Sequence, residues 1–370
     1  MKTFSCTCGQ LVFFQNVFCI ACKKELGFLP DALALCTIDP APNGSFTVPS
    51  DVSRKTYKKC RNYARESVCN WMIPEEETNE VFCQSCRLNE VIPDLSISGN
   101  HVLWAAMEVA KRRLLYTLLS LHLPLSNKLH DPEKGLTFRF LSDVTNADGT
   151  VTRVLTGHDN GIITLNIAEA DDGYREKTRI SMNEPYRTLL GHFRHEIGHY
   201  YWDRLVRDAN FLGRFRELFG DDRADYAQAL QKYYANPIPA DWQDHYISAY
   251  STAHPWEDWA ESWSHVLHIC DTLEVANDFG LKGRSIRKAS RLANTNTEVS
   301  AAKPDKFDSM IEEWLKLVVV LNSINRSMGH PDLYPFVLSP EVIEKLRFIS
   351  EVITSSGIAE PAPQVAVSLS

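Results

Sequence analysis

The sequence predicts an α+β fold in which a loop-rich, cysteine-clipped module precedes a mostly helical domain with one small antiparallel sheet. Three patterns carry that expectation. Nine of the ten cysteines lie in the first 86 residues, a central stretch alternates apolar with polar or β-branched residues, and most of the remainder repeats apolar residues at helical spacing. At 370 residues the chain has length for one large domain or two smaller ones. Hydrophobic residues at 44% and charged residues at 23% are ordinary for a soluble globular protein. Lys and Arg number 39 against 47 for Asp and Glu, and the net charge of -8 argues against general affinity for nucleic acid.

The cysteines form two quartets. "CTC" (Cys6, Cys8) is followed by "CIAC" (Cys19, Cys22), and Cys60 and Cys69 are followed by "CQSC" (Cys83, Cys86). Each quartet is two pairs about a dozen residues apart with a Cys-x-x-Cys knuckle in the second, a spacing that lets four thiolates close a tetrahedral shell around zinc. Such closed sites hold a fold together and leave no position for substrate. Residues 1–97 therefore read as a zinc-ribbon module with two structural zinc sites, Cys36 and Cys270 being left over. The start, "MKTFSCTCGQLVFF", has cysteines where a secretory signal carries an uninterrupted apolar run, and the apolar run "WLKLVVVL" is far shorter than a membrane span of about 20 residues. The expected location is cytoplasmic. Around the first cysteine of the second quartet, "SRKTYKKCRNYAR" sets six basic residues around Tyr57 and Tyr63, a pattern that suits a phosphate backbone, although acidic residues nearby offset it.

Further along, "NHVLWAAMEVAKRRLLYTLLSLH" from Asn100 reads as a long core helix. "TFRFLSDV", "TVTRVLT" and "GIITLNIA", with "NADG" and "HDNG" between them, read as three strands of the antiparallel sheet. "SMNE" (Ser181 to Glu184) fits a capping box with Pro185 in the first turn, predicting a helix from about residue 182 to 206. Helical patterns then dominate to about residue 355, giving a second domain over 98–355, and 356–370 reads as a disordered tail.

The predicted 182–206 helix contains "HEIGH". Its two histidines, His195 and His199, are one turn apart and can aim both imidazoles at one metal, with Glu196 beside them as a base. A catalytic zinc takes three protein ligands and keeps one position open. The hydrolase pattern that adds a histidine six residues after the second fails here, because that position is Leu205 and its expected glycine is Trp202. A second helix opens after Pro255 in "YSTAHPWEDWAESWSHVLH", where Glu257, Glu261 and His265 fall four apart, and either glutamate can be the third ligand. Asp203 and His254 are further candidates; His265 and His268 are not expected to bind metal. His192 reads as a partly exposed neighbour of the motif, His158 as a turn residue beside the cleft, and Trp256, Trp259 and Trp263 as packing.

"HEIGH" followed by "EDWAESW" resembles the lethal-factor-like gluzincins, whose E-x-x-A-E motif binds zinc through its first glutamate and is preceded by a tyrosine seven residues before. The whole chain, through "CNWMI", "CRLNEVIPDL", "HPWEDWAESW" and "INRSMGHPDLYPFVLS", is similar to a bacterial family of zinc-binding metallopeptidases with an N-terminal zinc ribbon. The resemblance implies a zincin-like second domain in which His195, His199 and Glu257 hold a catalytic zinc and Glu196 is the general base. It also implies that Tyr250 donates to the oxyanion and that Glu261 orients a histidine, a part that Asp203 could take instead. "GIITLNIA" would line the cleft and pair with extended substrate. The implied function is zinc-dependent hydrolysis of peptide bonds in a protein or peptide, with one catalytic and two structural zinc ions and no membrane partner. Rival readings are an adaptor whose metal site is inactive or structural, and a protease acting on protein bound to nucleic acid.

Overall fold

The computed structural model describes residues 2–49, 55–207, 209–281 and 305–356. Arg54, residues 282–304 and the expected tail from 357 onward lie outside the described residues, whereas Ser356 closes the last helix instead of opening the tail. The architecture is α+β: short strands and cysteine clusters come first, and a mostly helical part follows. By contacts the described residues form two units, one from residues 3–220 with 352–356 and one from within residues 221–351. No helix among the described residues is long and apolar enough to cross a membrane.

The first unit begins with antiparallel ribbons. β1 (Phe4–Ser5) pairs with β2 (Leu11–Val12), β3 (Leu26–Leu29) with β4 (Ala34–Thr37), and β5 (Asp39–Pro40), β6 (Phe46–Thr47), β7 (Thr56–Lys59) and β8 (Met72–Pro74) form a meander. A one-turn helix α1 (Arg61–Ala64) follows Cys60. Strands this short bury little area by themselves. An aromatic cluster compensates: Phe14, Phe28 and Trp71 meet with centroids 4.9 to 6.5 Å apart, and Tyr116 of helix α2 (Asn100–Ser120) packs on Phe14 at 5.5 Å. Ribbon and long helix thus share one core. The tyrosines of the basic segment join this interior, Tyr57 donating to Asp31 and Tyr63 to the carbonyl of Leu26, while Lys55 and Lys59 pair with Asp31 and Glu25.

Helix α2 starts where the sequence places it, and its buried face carries an uncommon burden. Glu108 and Lys111 are wholly buried and Arg112 nearly so. Glu108 accepts from Asn89 at 2.6 Å, Lys111 at 3.0 Å and Trp104 at 3.2 Å, and lies 4.0 Å from Cys86 Sγ. Arg112 donates to the carbonyl of Val68, next to Cys69. Buried charges persist only when paired and fully hydrogen-bonded, and this network ties the second quartet to the helix.

The sheet that follows differs from the expected antiparallel one. Its order is β13 (Gly157–Asp159), β14 (Ile162–Asn166), β10 (Thr137–Leu141), β9 (Asn89–Val91), and β10 runs parallel to both β14 and β9. Only β13 and β14 pair antiparallel there. From the intervening "TVTRVLT" only β12 (Val151–Thr152) forms, and it folds back on β11 (Val144–Thr145) as a separate hairpin, so the chain crosses over before β14. The turn into β14 requires Gly161: its φ is +78°, and a Cβ there would lie 2.2 Å from the carbonyl oxygen of Gly135.

The histidine helix also starts later than the capping-box pattern suggests. Asp171 caps α3 (Asp172–Ser181), so Ser181 ends a helix rather than opening one. Asn183 then takes φ +52°, Pro185 disfavours a helical conformation at the residue before it, and α4 runs Leu189–Trp202. Thr188 is its cap, accepting the amide of Gly191 at 3.0 Å. One π-helical turn, Asp203–Arg207, and helix α5 (Leu212–Phe219) complete this region.

The second unit is helical: α6 (Tyr226–Ala235), α7 (Trp242–His245), α8 (Pro255–Asp278), α9 (Lys306–Ser327) and most of α10 (Pro340–Ser356). Trp259 and Trp263 of α8 are fully buried, with Phe348 edge-on to Trp259 at 6.1 Å. A buried ion pair, Lys345 to Asp258 at 2.6 Å, joins α10 to α8.

Candidate metal centres

Each cysteine quartet gathers in the first unit as the spacing predicts. Within a quartet the four sulfurs lie within 4.8 Å of one another. Cys6 and Cys22 are 3.5 Å apart, Cys8 and Cys19 3.7 Å, and Cys69 and Cys83 3.7 Å. A disulfide needs about 2.05 Å, whereas sulfurs about 2.3 Å from a central zinc stand ~3.8 Å apart at tetrahedral angles. The donor sets fit zinc. The thiols are also prepared unequally. Burial pushes Cys6 up to about 12, while the backbone amides of Cys22 and Ala21 pull Cys19 down to about 6, the knuckle favouring a thiolate. Burial raises Cys83 well above the thiol range as well. Cys8 and Cys22 are exposed, but all four members of the second quartet are buried.

In the same unit, α4 packs against α2 and β13 and carries the histidine pair. The Nε2 atoms of His195 and His199 are 3.2 Å apart. Two nitrogens bound to one zinc at 2.0 to 2.1 Å would be ~3.3 Å apart, so the pair is set for a shared ion. Glu196 is buried at 7% exposure on the same helix. Asp203 accepts from Arg207 at 2.8 Å in the π-helical turn. His158 stacks on His199, ring centroids 6.3 Å apart, and accepts the amide of Gly161 at 2.8 Å; burial lowers it to about 3, so it is neutral. It lies in strand β13, paired with Ile163, and not in the turn that the sequence suggested, because the turn falls at Asn160 and Gly161; its ring covers a histidine of the pair. Burial lowers the His192 pKa well below the usual imidazole value, and its Nδ1 lies 3.4 Å from Glu169.

The strand expected to meet substrate occupies an interior position. β14 is hydrogen-bonded on both sides over Ile162–Thr164, to β10 and to β13, so its backbone is already used. The edge next to α4 belongs to β13.

In the second unit, Glu257 sits in the first turn of α8 at 1% exposure. The Tyr226 hydroxyl donates to its Oε1 at 2.5 Å. Neither this contact nor Tyr226 was predictable, since the two residues are 31 apart and lie in different helices. His254 is committed as the cap of α8: Nδ1 accepts the Trp256 amide at 3.1 Å, and Nε2 donates to the carbonyl of Ala224 at 3.1 Å. That use of both ring nitrogens removes it as a metal ligand. His265 is bonded to the Tyr334 hydroxyl at 2.8 Å and His268 stacks on the same ring; neither belongs to a cluster of metal-ligating groups among the described residues. Tyr250 lies in a short 3-10 turn just before α8, its ring against Tyr233 at 5.6 Å, and Glu261 is half-buried one turn after Glu257.

Comparison with known proteins adds independent findings. Residues 100–352 match the family described as "Putative zinc-binding metallo-peptidase", and residues 3–97 match a zinc-ribbon domain. The chain is similar to an uncharacterized protein of Mycobacterium bovis and to two of Mycobacterium tuberculosis, each 43% identical over 355 residues, 95% of this chain and 95% of the relative. No solved structure matches.

Proposed function

Because the chain belongs to this zinc-binding metallo-peptidase family, with a zinc ribbon at its N-terminal end, we propose that it hydrolyses peptide bonds in a protein or peptide substrate. The observation that carries the reading is the 3.2 Å approach of the His195 and His199 nitrogens, with a buried glutamate between them in sequence. In this reading His195, His199 and Glu257 hold the catalytic zinc in a gluzincin arrangement, and the two cysteine quartets hold structural zinc, three ions in all.

Zinc bound there supplies Lewis acidity, which brings water to a pKa of about 7 and polarises a carbonyl. The protein's own groups do the rest. Glu196 takes a proton from the attacking water as its oxygen bonds to the scissile carbon, and delivers that proton to the amine nitrogen as the C–N bond breaks. Tyr250 donates its hydroxyl to the carbonyl oxygen while negative charge builds there. Tyr226 fixes the Glu257 carboxylate, and Glu261 or Asp203 orients an imidazole through its other nitrogen. An extended substrate adds to the sheet at β13, whose outer edge is unpaired among the described strands. A cytoplasmic setting agrees with ten cysteines kept as thiols.

An adaptor needs no Glu196. Replacing it separates the two readings: Glu196→Ala is expected to keep its zinc yet lose cleavage of an unfolded protein by about 100-fold or more, assayed by mapping new termini. Unchanged cleavage would leave hydrolysis without its base and overturn the proposal.

A further inference from the structure

Helix α6 presents one face, through Asp225, Ala229, Lys232 and Asn236, to a groove instead of a packed core, and none of its residues is fully buried. The groove has a volume of about 370 Å³ and is closed on its other side by Pro237, Ile238, Thr252 and Ala253. Its walls belong to the structure around Glu257. Tyr226 at the start of α6 donates to Glu257, Tyr233 in mid-helix packs on Tyr250, and Thr252 and Ala253 lie within five residues of Glu257. The polar groups along it are mostly engaged: Asp225 caps Gln228 at 2.9 Å, Asn236 donates to the Lys232 carbonyl at 2.7 Å, and Thr252 donates to Ala249 at 2.8 Å. Among the described residues the Lys232 ammonium has no ion pair.

We propose that this groove is a substrate subsite that takes an extended polypeptide segment, seating apolar side chains on its alanine, proline and isoleucine walls and an acidic side chain against Lys232. The inference deepens the peptidase reading and rests on Glu257 belonging to the active site. Its volume exceeds one side chain and lies in the range of ligand sites. Two features select a peptide as occupant: Tyr233, which packs on Tyr250, lines the groove next to the residues that lead into Glu257, and the groove offers a cation with no ion pair among the described residues, in a chain of net charge -8. Overall charge would favour basic peptides, so a preference for acidic ones must arise locally.

The test uses the full-length Glu196→Ala chain, which binds without cutting, and two fluorescein-labelled decapeptides of alanine and leucine that differ only in carrying three glutamates or three lysines. Fluorescence anisotropy should show the acidic peptide binding tighter by about fivefold, and Lys232→Glu should invert that order. Ala229→Trp, which fills the groove, should weaken both peptides. Equal binding of the two peptides, no binding, or a preference that Lys232→Glu leaves intact overturns the subsite. Cleavage by the native chain is read separately: cleavage without charge selectivity removes the groove and keeps the peptidase, while selectivity without cleavage keeps the groove and removes the peptidase.

Discussion

At the scale of single residues, the most informative contact is the 2.5 Å hydrogen bond from Tyr226 to Glu257. A group that orients a metal-binding carboxylate typically contributes 10- to 100-fold in metal affinity. Tyr226→Phe keeps the ring and deletes the donor, so zinc in chelator competition should bind about 10-fold more weakly at one site; an unchanged titration would mean that Glu257 does not need that tyrosine. His254 makes a different claim. As the cap of α8 and the anchor of Ala224 it stabilises the second unit. His254→Ala should cost about 1 kcal/mol, close to other caps, visible as a lower unfolding midpoint. The pairing of His195 with His199 was legible because helical spacing fixes which side chains share a face, whereas the same spacing left Glu257 and Glu261 equal candidates. Tyr226 was not, because tyrosines are common and nothing local marks one that reaches 31 residues forward.

At the scale of elements, two helices govern the first unit. In α4 the motif was readable but the boundary was not: "SMNE" has the composition of a capping box, yet Ser181 was already the end of α3 and Thr188 did the capping. Thr188→Ala should therefore destabilise by about 1 kcal/mol while Ser181→Ala changes little, a comparison for chemical denaturation. In α2, Glu108 balances Lys111 and Arg112 in a dry interior. Glu108→Ala leaves two buried cations facing each other and should cost about 3–5 kcal/mol, a large part of a domain's stability; near-wild-type stability would show that solvent reaches this network. The parallel pairing of β10 with β14 could not be read from alternation, since periodicity reports which face is buried and says nothing about which strand lies alongside.

At the scale of the whole molecule, the cysteine quartets were the plainest feature of the sequence, because thiolate spacing is a local property that survives folding unchanged. What spacing could not convey is their inequality. The first quartet has two exposed thiols, the second none, and the second touches the charge network of α2. A thiol-directed mercurial should accordingly release zinc in steps, the first ion leaving with little change in near-ultraviolet circular dichroism and a later one leaving together with the tertiary signal; simultaneous release would contradict that order. The β13 edge likewise emerges only from sheet order, since the notional substrate strand is interior.

The central proposal is that His195, His199 and Glu257 are ligands of one zinc ion, and counting zinc tests it directly. After dialysis, the native chain should retain about three ions per molecule, Glu257→Ala about two, and Glu261→Ala about three. A native count of two, or an undiminished count in Glu257→Ala, would contradict the account.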